Sequence, residues 1–209
     1  MNLPNKLSLM RICLVPFFVA AYFLPYYWGA YVAVALFVIA AATDFLDGYI
    51  ARKYQMVTDL GKLLDPIADK VLVCAALFCI VAVNPLAYYN EWAGNFSTIL
   101  LTVGAIVIIS RELLIGAVRQ IAAAKGIVVQ ANIFGKVKTV FQDISLPMLV
   151  LLNGSPTQVG DAILEQNSAP VLFWGIWWWA CVALFTVAVI LTILSGIIYL
   201  IQNRKVFSN

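Results

Sequence analysis

The sequence contains no histidine, and its four cysteines (Cys13, Cys74, Cys79 and Cys181) lie in apolar segments without a Cys-x-x-Cys pair. Zinc sites draw on Cys and His, so a zinc centre is a poor reading. The cysteines read instead as small buried apolar residues. Charge is scarce as well. Only 11% of the residues are charged and 64% are hydrophobic, whereas a soluble domain is typically about 25% charged. A soluble fold is excluded, and the class is all-α integral membrane protein. Internal repeats, low-complexity tracts and a second domain are also lacking, so residues 1–209 read as one membrane domain.

What the sequence does have is apolar runs. Crossing about 30 Å of hydrocarbon takes about 20 apolar residues. Runs of that order fall at roughly 8–25, 29–49, 66–83, 98–119, 137–153 and 171–201, which predicts six transmembrane helices. Lys6 and Arg11 give the first run the look of a signal peptide. No small-residue cleavage site follows it and five more runs do, so it is expected to be the first span. Leu3–Pro4–Asn5 ahead of it suggests a short interfacial segment on the inner leaflet.

The basic residues are distributed unevenly. Lys6 and Arg11 lie at the start, Arg52, Lys53, Lys62 and Lys70 around the second connection, Arg119, Lys125, Lys136 and Lys138 around the fourth, and Arg204 and Lys205 at the end. The connections near 25–28, 84–97 and 154–170 contain no Lys or Arg. The positive-inside rule then predicts that both termini are cytoplasmic, as an even number of spans requires. Arg111, inside the fourth run, is the exception. Trp174, Trp177, Trp178 and Trp179 crowd the start of the last run, where an aromatic belt at the outer interface would account for them.

Four carboxylates stand where the second run ends and the third begins. Asp44 and Asp47 are three residues apart, and Asp65 and Asp69 four apart. On helices either spacing places the pair on one face. Four converging acids are unstable without a compensating cation or proton, which points to a site for a hard, oxygen-ligated ion such as Mg²⁺, Mn²⁺ or Ca²⁺. Solvated loop residues or helix caps would explain one or two of these acids more easily than four. A cation-transport path is a second reading, although no polar residues continue it across the outer half of the helices.

Asp44-x-x-Asp47-Gly48-x-x-Ala51-Arg52, followed after eight residues by Gly61, then Asp65 and Asp69 at intervals of four, resembles the signature of the CDP-alcohol phosphotransferases. Those are membrane enzymes of lipid synthesis. The resemblance implies that Asp44, Asp47, Asp65 and Asp69 hold two Mg²⁺ or Mn²⁺ ions, with Asp69 also the catalytic general base. It implies that CDP-lipid is bound by Gly48, Ala51, Arg52, Thr58 and Gly61, with Asn5 and Ser8 as further contacts. A homodimer in a bacterial plasma membrane, with the active site facing the cytoplasm and no nucleic-acid partner, is the expected setting.

The signature leaves the acceptor alcohol open. Arg111, Glu112 and Arg119 lie in the fourth run, and Gly135-Lys136-x-Lys138-Thr139 opens the fifth. Together Arg111, Arg119, Lys136 and Lys138 would make a basic wall able to bind an acceptor's phosphate. For Lys136 and Lys138 alone, positive-inside bias would suffice. These segments resemble the family members that take glycerol 3-phosphate as acceptor and CDP-diacylglycerol as donor. A cardiolipin synthase or phosphatidylinositol-phosphate synthase of the same fold, or a cation transporter outside the family, are the alternatives.

Overall fold

The computed structural model describes residues 3–24, 27–53, 59–86, 91–125, 133–152 and 168–203. Within them the chain forms six helices: α1 (Leu3–Tyr22), α2 (Tyr27–Lys53), α3 (Asp59–Val83), α4 (Glu91–Ala124), α5 (Ile133–Leu152) and α6 (Ser168–Gln202). Three segments of α1, α4 and α6 are long and apolar enough to cross a membrane: Asn5–Tyr22, Gly94–Ala122 and Gly175–Gln202. Trp28–Thr43 of α2 and Lys70–Val83 of α3 are shorter apolar stretches. One expectation is corrected at the N-terminus. Leu3–Asn5 form the first turn of α1 rather than a separate interfacial segment.

The helices also run further than the apolar runs did. With 34 residues in α4 and roughly 1.5 Å per residue, the helix is about 50 Å long. Its hydrogen bonds therefore continue well beyond one bilayer thickness. The acidic signature behaves in the same way, since α2 carries on through Asp44 and Asp47, and α3 begins at Asp59, ahead of Asp65.

The outer surface is apolar, unlike that of a water-soluble protein. Large apolar side chains such as Phe17, Trp28, Phe78, Ile99 and Ile201 are more than 60% exposed, an extent of apolar surface that suits lipid rather than water. The buried set includes Asn5, Ser8, Arg11, Thr43, Lys138, Gln142 and Ser195. A core of Phe18, Phe37, Leu77, Ile108, Leu149 and Phe185 joins the helices. Alanines with no exposed surface (Ala33, Ala40, Ala76, Ala188) let backbones approach closely. Gly104 does the same for α4 and α6, because a Cβ there would meet the Phe185 ring. The principal neighbours are α1 with α2 and α3, α4 with α3 and α6, and α5 with α6 and α2.

Side-chain contacts fix which ends lie together. Asn84, just past α3, adopts φ 45°, a left-handed conformation that Asn tolerates at helix ends. Its Nδ2 lies 2.7 Å from Thr98 Oγ1 and 3.2 Å from Ser97 Oγ on α4, and its Oδ1 accepts from Leu86 N at 3.2 Å. Trp178 of α6 then donates from Nε1 to Leu86 O at 2.9 Å. Trp178 is 4% exposed and Trp179 57% exposed, so the belt reading suits Trp179 and fails for Trp178, which is part of the packing. Toward the opposite end, Lys70 near the start of α3 meets Gly116 of α4, Lys138 near the start of α5 meets Glu112 of α4, and Arg111 of α4 meets Ser195 near the end of α6.

Candidate active site

Asp44 and Asp47 lie in the closing turns of α2, and Asp65 and Asp69 in the opening turns of α3, two helices in direct contact. Both carboxylate pairs are thus on helices, as their spacing required. The side chains of all four, and of Gly48, Ala51, Arg52 and Gly61, lie outside the described residues, as does Thr58 entirely.

The surroundings of this acidic region are described. Asn5, Ser8 and Arg11 recur every three residues on α1, and all three are buried, Ser8 and Arg11 completely. Arg11 donates from Nε to the carbonyl of Ala40 at 3.1 Å, and Thr43 Oγ1 donates to the same oxygen at 2.7 Å. Ala40 is one turn before Asp44, so a desolvated guanidinium is held beside the helix segment that carries the first two acids. The sequence reading had counted Arg11 only as an inner-side cation. Its spacing from Asn5 and Ser8 was the available signal.

The second cluster joins α3, α4, α5 and α6. Glu112 Oε1 pairs with Arg111 Nη1 at 3.0 Å and also accepts from Lys138 Nζ. Arg111 Nη2 donates to Ser195 Oγ of α6 at 3.1 Å, and Ser195 in turn donates to the Thr192 carbonyl. Two glycines make room for this arginine: a Cβ at Gly135 would lie 3.4 Å from its Nη2, and one at Gly196 3.3 Å from its Cγ. Arg111 Nε is buried without a partner. The Lys70 ammonium of α3, one residue after Asp69, packs directly against Gly116, so a side chain there would displace the end of the lysine.

Between these helices lies a cavity of about 40 Å³ lined by residues that include Lys70, Cys74, Glu112, Lys138, Gln142 and Asp143. The charged groups lining it are balanced, Lys70 and Lys138 against Glu112 and Asp143, and Arg111 adds a further cation through its ion pair with Glu112. An added cation beside a half-buried cleft favours an anion there. The structure therefore brings together Arg111 and Lys138 of the expected basic wall, with Glu112 as the link. Arg119 and Lys136 are exposed. The Arg119 guanidinium lies 5.7 Å from the centre of the Tyr199 ring, at cation–π distance. Lys70 and Gln142 were not anticipated as site residues, since a lysine near a membrane edge and a glutamine on an apolar helix carry no distinguishing sequence signal.

Among the described residues no group of three or more His, Cys, Asp or Glu side chains is placed to hold a metal ion. Cys79 and Cys181 are buried as expected, Cys74 half-buried and Cys13 exposed, and all four are free thiols.

The sequence profile of the CDP-alcohol phosphatidyltransferase family matches residues 1–186. A Bacillus subtilis (strain 168) protein named CDP-diacylglycerol–glycerol-3-phosphate 3-phosphatidyltransferase is 39% identical, over 97% of this chain and 95% of its own length. A Yersinia pestis (strain Pestoides F) protein of the same name is 35% identical, over 84% of this chain and 91% of its own. One from Pectobacterium atrosepticum is 39% identical over 69% and 74% respectively.

Proposed function

The chain belongs to the CDP-alcohol phosphatidyltransferase family, and from that membership we propose that it transfers the phosphatidyl group of CDP-diacylglycerol to glycerol 3-phosphate, giving phosphatidylglycerophosphate and CMP. The observation that carries the choice of acceptor is the Arg111–Glu112–Lys138 cluster beside Lys70. It places net positive charge next to the helix bearing Asp65 and Asp69. The names of the relatives agree with that acceptor.

The donor set suits divalent ions. Asp44, Asp47, Asp65 and Asp69 offer only oxygen, in a chain without histidine, and sit on two packed helices; hard cations such as Mg²⁺ or Mn²⁺ fit that chemistry. Two ions held by these four residues would neutralise the diphosphate and ease the departure of CMP. Asp69 accepts the proton of the acceptor hydroxyl. The hydroxyl oxygen forms a bond to the phosphorus that carries diacylglycerol, and the bond from that phosphorus to the oxygen bridging to CMP breaks. Gly48 lets the nucleotide approach the α2 backbone, Arg52 pairs with the diphosphate, and Ala51, Thr58, Gly61, Asn5 and Ser8 complete the CDP-lipid contacts. Arg111 and Lys138 hold the acceptor phosphate, with Arg119 and Lys136 drawing it in from the exposed rim.

The same reading makes the protein a six-span homodimer of the plasma membrane, with both termini and the site on the cytoplasmic side. Purified protein given CDP-diacylglycerol should release CMP only when both glycerol 3-phosphate and Mg²⁺ or Mn²⁺ are supplied. Release that is indifferent to chelation, or that never occurs, would end this reading.

A further inference from the structure

The cavity between α3, α4 and α5 is lined by two lysines, Lys70 and Lys138, two carboxylates, Glu112 and Asp143, and one amide. The amide is Gln142, one turn beyond Lys138 on α5. It is 3% exposed, and its side-chain Oε1 is buried with no hydrogen-bond partner among the described residues. Ser145 donates to the main-chain carbonyl of Gln142, which leaves the side-chain oxygen unsatisfied. Buried amide oxygens are nearly always paired, so this one calls for a donor from outside the protein.

The dimensions limit what that donor is. A water needs about 10–15 Å³ of such space, so a cavity of about 40 Å³ admits several atoms of a small polar ligand and excludes a lipid tail. Residues four apart on a helix have Cβ atoms about 5–6 Å apart, so Lys138 and Gln142 are close enough to reach the phosphate and the middle hydroxyl of one three-carbon phosphate ester. Val73, which also lines the cavity, follows Asp69 by four residues, so the cavity lies about one helical turn along α3 from Asp69.

We propose that Gln142 selects the acceptor by its second hydroxyl. Resting on glycerol 3-phosphate as acceptor, the assignment has Gln142 Oε1 accept a hydrogen bond from the secondary hydroxyl, which does not react, while Lys138 and Lys70 face the phosphate. The primary hydroxyl is then the one left to turn toward Asp69. An acceptor lacking the secondary hydroxyl would leave Oε1 buried and unpaired in the loaded site, which is how a polar pocket rejects a deoxy analogue.

The test is CMP release by the purified full-length protein with CDP-diacylglycerol and Mg²⁺, comparing glycerol 3-phosphate with 3-hydroxypropyl phosphate, which lacks only that hydroxyl. The wild type should favour glycerol 3-phosphate in kcat/KM by roughly tenfold to a hundredfold. Gln142→Leu should bring the two acceptors to near parity, chiefly by losing rate with glycerol 3-phosphate. Gln142→Glu keeps an acceptor oxygen and should keep the preference. Equal use of both acceptors by the wild type, or a Gln142→Leu variant that slows both in proportion, overturns the assignment and leaves a buried water as the partner of Oε1. In that event the reaction itself still stands, provided the wild type releases CMP with glycerol 3-phosphate. A wild type that releases none overturns both.

Discussion

Asn84 and Glu112 are each the hub of a polar cluster between helices, the first buried and the second half-buried, at opposite ends of the bundle. Around Asn84 the groups are neutral and answer one another: its amide meets Ser97, Thr98, Gly94 and Leu86, and Leu86 meets Trp178. Around Glu112 the groups are charged and unbalanced. Two cations share one carboxylate oxygen, Arg111 Nε and Gln142 Oε1 have no partner, and a cavity lies between. A saturated network fastens helices and has nothing left to offer a ligand. An unsaturated one is a cost to the fold, offset when a ligand arrives. The difference separates the part of the molecule that holds it together from the part that acts.

Three substitutions probe that separation, in decreasing size of effect. Asp69→Asn should lower CMP release by about 10²–10⁴-fold, the range for loss of a general base, with CDP-diacylglycerol binding largely retained. Surviving turnover would reassign the base. Arg111→Ala should raise the KM for glycerol 3-phosphate about tenfold or more, consistent with loss of a charge-assisted contact, and change that for CDP-diacylglycerol much less. Equal changes would remove Arg111 from the acceptor pocket. Asn84→Ala should lower stability by about 1–3 kcal/mol, read as an earlier thermal transition in detergent, while kcat/KM per folded molecule is unchanged. If activity falls in step, the two ends are coupled and the contrast between them fails.

The placement of the acids on helices and the meeting of two basic segments could be read from spacing, because helical periodicity converts sequence intervals into neighbouring positions. The intervals of three and four between the acids land on helices, and the Arg-Glu segment of α4 does meet the Gly-Lys-Val-Lys-Thr segment of α5. Contacts decided by a third helix were not readable. Arg11 looked like any inner-side cation until α2 supplied a carbonyl for it. Trp178 looked like its neighbours until the turn after α3 placed Leu86 O beside its indole. Lys136 and Lys138, two residues apart, differ because α5 turns one outward and packs the other against Glu112, leaving Lys138 2% exposed. Helix ends were misjudged because hydropathy reports where lipid would begin, whereas hydrogen bonding continues into the polar turns that carry the acids.

The bond from Arg11 to Ala40 also bears on how the chain is made. During synthesis α1 emerges before α2, and an arginine inside a lone span costs about 2.5–3.5 kcal/mol on insertion scales. Its carbonyl partner arrives only with residue 40. The first two helices are therefore expected to enter the bilayer as a hairpin rather than one after the other. In a translocon assay α1 alone should integrate less completely than the α1–α2 pair, and Arg11→Leu should erase that gap. An isolated α1 that integrates fully would show that Arg11 finds its partner after insertion. With the gap as expected, the residue that positions a helix beside the acids also sets the timing of the chain's first commitment to the membrane.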